Sequence, residues 1–355
     1  MHRILLCTFT FCLAAALATS LPAQPKTKEV WTDPTDSTLP LDFKFQGEYV
    51  GEKVGVQLIS LGDGQFQAVL LNGGLPGAGW DGKTKSLIHG KLKGERVELT
   101  PIDPKEKRSY LAGPADKFSA TSNFPPPGHV AFMGSIEGDT MTLQSLSDAK
   151  SFTLKKTVRV SPTMGAKPPE GAIVLFDGSS KEAWNGGRLD EMTKLLNTDG
   201  RDIRTKQKFN NYTMHVEFLL PYRPKARGQG RGNSGFYQVD MYEVQILDSF
   251  GLEGKNNECG GLYSKLDPSV NMCLPPLVWQ TYDVDFTNAV AEAGKKVKNA
   301  RITLKHNGVV ILDDKEINGK TGGARGDAEG TPGPIQLQGH GNPLQFRNIW
   351  IVEKK

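Results

Sequence analysis

The feature that most restricts this chain is its punctuation. From Phe43 onward, apolar and polar residues alternate in runs of about four to nine, each run ended by a glycine- or proline-containing turn. Alternation of that kind is the signature of half-buried strands, because successive strand side chains point to opposite faces. Val54–Ile59 and Phe66–Leu71 are two such runs, joined by Gly62-Asp63-Gly64, a hairpin signal. Further strands are expected at 96–100, 129–136, 140–146 and 151–158. About nine more follow between Ala172 and Val352, including Tyr212–Leu219, Ser234–Gln238, Tyr242–Leu247 and Leu344–Val352. The one helix-compatible piece is Arg188–Leu196. Gly 40 and Pro 22 agree with many turns between short strands. The expected fold is all-β: a small all-β domain followed by a two-sheet antiparallel sandwich.

The chain opens with Met1-His2-Arg3, an apolar run from Ile4 to Ala18, and small residues before Gln24. This is the tripartite pattern of a signal peptide, with cleavage after Ala18 or Ala23; an uncleaved anchor is the alternative. No later stretch is long or apolar enough to span a bilayer, so export to the periplasm or the extracellular space is expected, with no membrane span after cleavage. The domain reading is signal peptide 1–23, linker 24–40, N-terminal domain 41–160, Pro/Gly-rich linker 161–171, and sandwich 172–355. A net charge of +4, without clustered basic and aromatic residues, excludes nucleic acid as a partner. Once the leader is removed, Cys259 and Cys273 remain. In an oxidising compartment a disulfide between them is the favoured reading over free thiols, stabilising by about 3 kcal/mol in the loop-entropy model.

Chemistry concentrates in two segments. In the run from Gly232 to Asp248, Glu243 and Gln245 share one strand face while Tyr242, Val244 and Ile246 share the other, which is the core face. Asn233 and Asp248 flank them. A row of polar side chains on one sheet face suits hydrogen bonding to sugar hydroxyls; a merely solvated strand face is the plain alternative. In the run from Gly333 to Ile349, Gln336, Gln338 and His340 alternate with Ile335 and Leu337. His340, between two glycines, offers acid, base or ligand chemistry, or a structural hydrogen bond. Arg347 lies in the last apolar strand and needs a partner if buried, with Glu243 or Asp248 the obvious ones. No Gly-x-Ser-x-Gly elbow, P-loop or His-Glu-x-x-His is present.

Leu175-Phe176-Asp177-Gly178 with Trp184, Gly232-Asn233-Ser234-Gly235, Tyr242 to Asp248, Gly260-Gly261-Leu262-Tyr263, Trp279-Gln280-Thr281-Tyr282 and Gly339-His340-Gly341 with Phe346-Arg347-Asn348-Ile349 occur in an order that resembles the 3-keto-disaccharide hydrolase domain family. The motifs are individually weak and jointly specific, and cover about 180 residues. The resemblance implies a concanavalin A-like lectin/glucanase sandwich (jelly roll). The implied substrate is a glycoside whose carbon 3 has been oxidised to a ketone by a partner sugar 3-dehydrogenase. Such a ketone acidifies the carbon 2 proton, so the aglycone leaves by elimination and water then adds. That chemistry asks for a base, an enolate stabiliser and an acid. The candidates are Glu243 or Asp248 as base and His340 or Arg347 for the enolate, with Asn233, Gln245, Tyr263 and Gln338 binding substrate. No cofactor is certain; a divalent cation held by Glu243, His340 and Asp248 is an alternative electrophile. A conventional two-carboxylate glycosidase using Glu243 and Asp248 is less favoured, with Gln245 between them. A non-catalytic carbohydrate-binding, lectin-like module is the competing function.

Overall fold

The computed structural model describes residues 28–324 and 328–354; the expected signal peptide lies outside the described residues. Among the described residues no helix is long and apolar enough to cross a membrane.

The N-terminal half is a closed antiparallel barrel of eight strands: β1 (Gly47–Gly51), β2 (Val54–Gly62), β3 (Gln65–Asn72), β4 (Lys85–Lys93), β5 (Arg96–Pro101), β6 (Phe132–Glu137), β7 (Thr140–Ser145) and β8 (Ser151–Thr157). Each strand pairs with the next in sequence and β8 closes on β1, so no edge is left unpaired. The hairpin between β2 and β3 turns at Asp63 and Gly64, with φ of 53° and 69°. Left-handed values at both central residues match the strand twist, and glycine carries one of them without steric cost. Alternation fills the barrel: Val54, Val56, Leu58, Phe66, Ala68 and Leu70 point inward with Tyr49, Leu99 and Leu143. The opposite faces of β2 and β3 are also buried, because Ile59, Leu61, Val69 and Leu71 join the core of the second domain.

That second domain is a sandwich. Its larger sheet contains β9 (Ile173–Phe176), β11 (Arg188–Asp190), β12 (Leu195–Asn197), β14 (Tyr212–Leu219), β17 (Trp279–Thr287), β18 (Ala300–His306), β19 (Val309–Ile317) and β21 (Gln345–Glu353). The order is β11-β12-β21-β14-β17-β18-β19, with β9 also pairing β21. The smaller sheet runs β10 (Trp184–Asn185), β13 (Ile203–Thr205), β20 (Gln336–Leu337), β15 (Ser234–Gln238) and β16 (Tyr242–Ile246). Tyr212, Val216, Phe218, Tyr282 and Phe286 from the large sheet meet Phe236, Tyr242, Val244, Ile246 and Leu337 from the small one. Phe218 and Tyr282 have ring centroids 4.8 Å apart, and Phe236 stacks on Tyr282 at 6.3 Å. Each such side chain, fully buried, stabilises the fold by about 1.5–3 kcal/mol. The fold is therefore all-β, a concanavalin A-like sandwich preceded by a small β-barrel.

Three expectations are corrected here. Arg188–Leu196 is no helix but the β11–β12 hairpin. The Asp190 carboxylate accepts the turn N–H groups of Met192 and Thr193, at 3.1 and 3.0 Å, and Lys194 takes φ +57°. A side chain that bonds its own turn competes with helix formation. The described residues of the segments expected to be linkers, 28–40 and 161–171, are docked in part. Trp31 exchanges backbone hydrogen bonds with Tyr222, and residues 161–166 lie along the outer face of the large sheet, where the Gly165 N–H donates to Glu217 at 2.6 Å.

Cys259 and Cys273 are buried free thiols rather than a disulfide. Both belong to the sandwich core as small apolar groups. Cys259 Sγ lies 3.1 Å from the Tyr282 hydroxyl, which itself donates to the Gln245 carbonyl at 2.7 Å. A reductant such as dithiothreitol is therefore expected to leave Tm unchanged. Reduction of a disulfide here would remove about 3 kcal/mol and lower Tm by several degrees.

Candidate functional site

The small sheet builds the site on the face it turns away from the core. Strands β15 and β16 form a hairpin whose turn residues, Val239 and Asp240, have φ of +46° and +61°. A β-branched residue at positive φ is strained, and the turn is held by two bonds from Arg204 Nε to the Asp240 carboxylate, at 3.0 and 3.1 Å. The turn fixes the register: Tyr237 lies opposite Glu243, and Gly235 opposite Gln245. Strand alternation then sends Phe236, Val244 and Ile246 inward and leaves Tyr237, Glu243 and Gln245 on the polar face. On the other side of β15, β20 delivers Gln338, whose backbone N–H donates to the Gly235 carbonyl at 2.8 Å.

These side chains line a polar cavity of about 150 Å³, with Asn233, Gln229, Tyr263, His340, Gly322 and Gly323 completing its wall. Six residues expected from sequence thus share one pocket: Glu243, His340, Asn233, Gln245, Tyr263 and Gln338. Three larger cavities have mostly apolar walls: two, about 330 and 240 Å³, at the junction of barrel and sandwich, and one of about 260 Å³ on the large sheet beside Asp283 and Trp350. None contains Glu243 or His340.

Glu243 is the most perturbed acid of the pocket. Its side chain is buried, and burial, with a further push from the charge of Asp202, raises its pKa to about 7; a hydrogen bond from Tyr237 works in the opposite direction. The Tyr237 hydroxyl lies 2.8 Å from Glu243 Oε2 and 3.1 Å from the Gly322 carbonyl, and receives a long contact from Gln338 Nε2 at 3.4 Å. Burial, reinforced by the Glu243 charge, pushes the Tyr237 hydroxyl above its ordinary value, so it remains a proton donor at neutral pH. Space for the carboxylate is made by Gly235. A Cβ there would lie 2.3 Å from Glu243 Oε1 and 2.8 Å from the Tyr237 ring.

The opposite wall is an amide network. Gln229 Oε1 accepts from Asn233 Nδ2 at 3.1 Å and from Gln245 Nε2 at 2.9 Å, while Gln229 Nε2 donates to the Asn257 carbonyl at 2.8 Å. Acid–base chemistry is thus placed against a hydrogen-bonding surface suited to hydroxyl groups.

Two expected site residues lie elsewhere. Asp248 is buried beneath the barrel, where Arg231 Nε donates to its carboxylate at 2.6 Å. Replacing Asp248 with Ala leaves the Arg231 charge buried without its partner, and is expected to destabilise by about 3–5 kcal/mol in chemical denaturation. Arg347 lies on the outer face of the large sheet, directly across from Glu217 in register. Its Nε donates to Glu217 at 2.7 Å and its guanidinium stacks over Trp279 at 4.0 Å. Burial raises the Glu217 pKa, but bonds from His215, Asn348, Arg347 and Gly165 outweigh it and hold the group at about 2. The partner expected for Arg347 was Glu243 or Asp248; the pairing of β14 with β21 supplies Glu217 instead. With Asp248 committed to Arg231, the cation ligand set of Glu243, His340 and Asp248 is not assembled. No cluster of three or more His, Cys, Asp or Glu suited to a metal occurs among the described residues.

Sequence reasoning missed Tyr237 and Gln229. Tyr237 was recoverable in principle, since a three-residue turn at Val239-Asp240-Met241 puts it across from Glu243, but that triplet carries no glycine and is not a usual turn sequence. Gln229 sits in a short turn at Gly228–Gly230 that carries no motif.

No curated protein matches the chain. Among solved structures, a candidate glycosyl hydrolase from Parabacteroides distasonis aligns at 36% identity over 52% of this chain and 85% of its own, with a TM-score of 0.49. A second candidate glycosyl hydrolase from the same organism aligns at 18% identity, over 56% of this chain and 99% of its own, with a TM-score of 0.39. The model of the 3-keto-alpha-glucoside-1,2-lyase-like domain matches residues 171–352, just over half the chain. That span contains the sandwich strands and every residue of the polar pocket, and on it the chain belongs to the 3-keto-alpha-glucoside-1,2-lyase-like domain family.

Proposed function

We propose that the protein cleaves the glycosidic bond of 3-keto-glycosides, 3-keto-disaccharides among them, by elimination and hydration in the pocket around Glu243. The family match supports a glycosidase-type activity in general. The single observation that carries the finer reading is a carboxyl group raised to about 7, set beside a donor hydroxyl in a polar cavity. A base of that pKa is half ionised near neutral pH, where general-base catalysis is most effective.

In this reading Glu243 takes the proton from carbon 2, which the carbon 3 ketone has acidified. The electron pair moves into an enolate and then expels the oxygen on carbon 1, giving an unsaturated ketone and the free aglycone. Water adds to carbon 1 and a proton returns to carbon 2, so the net change is hydrolysis. With Arg347 elsewhere, His340 remains the candidate for the enolate oxygen; the pocket adds Gln338 as a second donor for it, and His340, exposed at the rim, is then free to protonate the leaving oxygen. Arg347 has no part in it. The amides of Asn233 and Gln245, with Tyr263, position hydroxyl groups. The substrate would come from a sugar 3-dehydrogenase, and the protein would meet it after export.

The amide-rich wall alone would equally serve a carbohydrate-binding module. The raised carboxyl supports the enzyme reading, since a site that only binds hydroxyls gains nothing from a buried base. Incubation of the protein with a 3-keto-disaccharide should release the aglycone sugar, with kcat/KM rising through a midpoint near pH 7. Saturable binding without release would support the module.

A further inference from the structure

The pocket wall opposite Glu243 is built from two loops, and both are tied to the barrel. The first joins β14 to β15 and carries Gln229 and Asn233. Arg227 in this loop donates to the Leu61 carbonyl of β2 at 2.9 Å and lies over the Phe118 ring at 5.4 Å. The same guanidinium holds the loop's own carbonyls of Pro224 and Ala226, at 2.6 and 2.8 Å, five and three residues before Gln229. Arg231, on the other side of Gln229, donates to the Ser60 carbonyl at 3.1 Å. The second loop supplies the Asn257 carbonyl that receives Gln229. Its neighbour Glu258 is buried; it accepts the N–H groups of Gly254 and Lys255 at 2.7 and 3.1 Å, and a hydrogen bond from the Tyr110 hydroxyl of the barrel domain.

Gln229 is thus held at three points, two through arginines anchored on β2 and one through a turn pinned by Tyr110. Gln229 in turn orients the amides of Asn233 and Gln245. Glu243 and Tyr237 need none of this, since both stand on the β15–β16 ladder. Resting on the substrate reading above, we infer that the barrel is part of the sugar-binding site: Arg227 and Tyr110 are positioning residues that set the amide wall, while the acid–base pair is set by the sandwich alone. The barrel then governs substrate affinity and leaves turnover to the sandwich.

The test uses the full chain with Arg227→Met, Arg227→Lys and Tyr110→Phe, a 3-keto-disaccharide as substrate, and amide hydrogen exchange on the protein alone. Loss of contacts that bind ground state and transition state equally raises KM and leaves kcat in place; about a tenfold rise in KM is expected for Arg227→Met and about threefold for Tyr110→Phe, with kcat within about twofold. Arg227→Lys should recover most of the affinity. Exchange over residues 227–233 should quicken in Arg227→Met while residues 242–246 keep their protection. An unchanged KM and unchanged exchange in Arg227→Met and Tyr110→Phe would overturn the inference, as would a fall in kcat with KM preserved. Exchange is read without substrate, so it decides the barrel's role even if the wild-type protein releases no aglycone. That result would instead remove the substrate reading.

Discussion

Glu243→Gln should lower the rate of aglycone release by a factor of about 10³ and, above neutral pH, make the protein more stable. The two effects have one cause. Burial lifts the Glu243 carboxyl from its ordinary 4.5 to about 7, so the folded protein holds this proton more tightly than the unfolded chain. Below about pH 4.5 the group is neutral in both states and costs nothing. Between 4.5 and 7 the unfolded chain ionises first, and stability falls by about 1.4 kcal/mol per pH unit. Above 7 the carboxylate is buried in charged form and the cost levels off at about 3 kcal/mol. Glutamine removes that cost and can still accept a hydrogen bond from Tyr237. Catalysis by a base runs the other way, rising with pH as the carboxylate forms. Denaturant melts of both proteins at pH 4.5 and pH 8, beside rate measurements, check both halves. Equal stability at pH 8 would mean the carboxyl is not raised, and undiminished cleavage would remove Glu243 as the base.

Gly235→Ala is expected to reduce kcat about 100-fold while the protein still folds, because a displacement of about 1 Å at the reacting group costs a factor of that order. The backbone at Gly235 is an ordinary strand conformation, so alanine meets no torsional barrier. The obstacle is what faces it: the added methyl would lie 2.3 Å from Glu243 Oε1 and 2.8 Å from the Tyr237 ring. The carboxylate is the free end of a side chain and can rotate away into the cavity, leaving the hydroxyl that held it. The damage therefore falls on chemistry more than on stability, with Tm lowered by only a few degrees. Thermal melts with steady-state kinetics separate this from global unfolding. A variant with full activity would show that the carboxylate position seen here is not the working one.

Much of the site was legible because strand alternation is a rule about neighbours in sequence. It put Glu243 and Gln245 on one face and Tyr242, Val244 and Ile246 on the other, and the structure has that division. It also aligned Gln338 and His340. Asp248 was misplaced because β16 ends at Ile246; beyond that point the chain turns under the barrel and alternation no longer says where a side chain goes. Arg347 was misplaced for a different reason. Its place in an apolar strand said only that it would need a partner if buried; which sheet face and which carboxylate it reached depended on β21 pairing with β14. The cysteine reading failed because an even count and a short loop say nothing of whether two thiols are packed as core side chains.

The sequence by itself determined the all-β class, the hairpin at Asp63-Gly64, and the polar and apolar faces of the strand bearing Glu243, since each follows from side-chain period or local turn chemistry. Only the tertiary structure decided that Asp248 and Arg347 answer to Arg231 and Glu217, and that the barrel grips the loop carrying Gln229. Those are contacts between residues as many as 171 positions apart, brought together by strand order and by the packing of two domains. No local pattern encodes them, because the free energy that selects them is the burial of one domain's apolar face against the other.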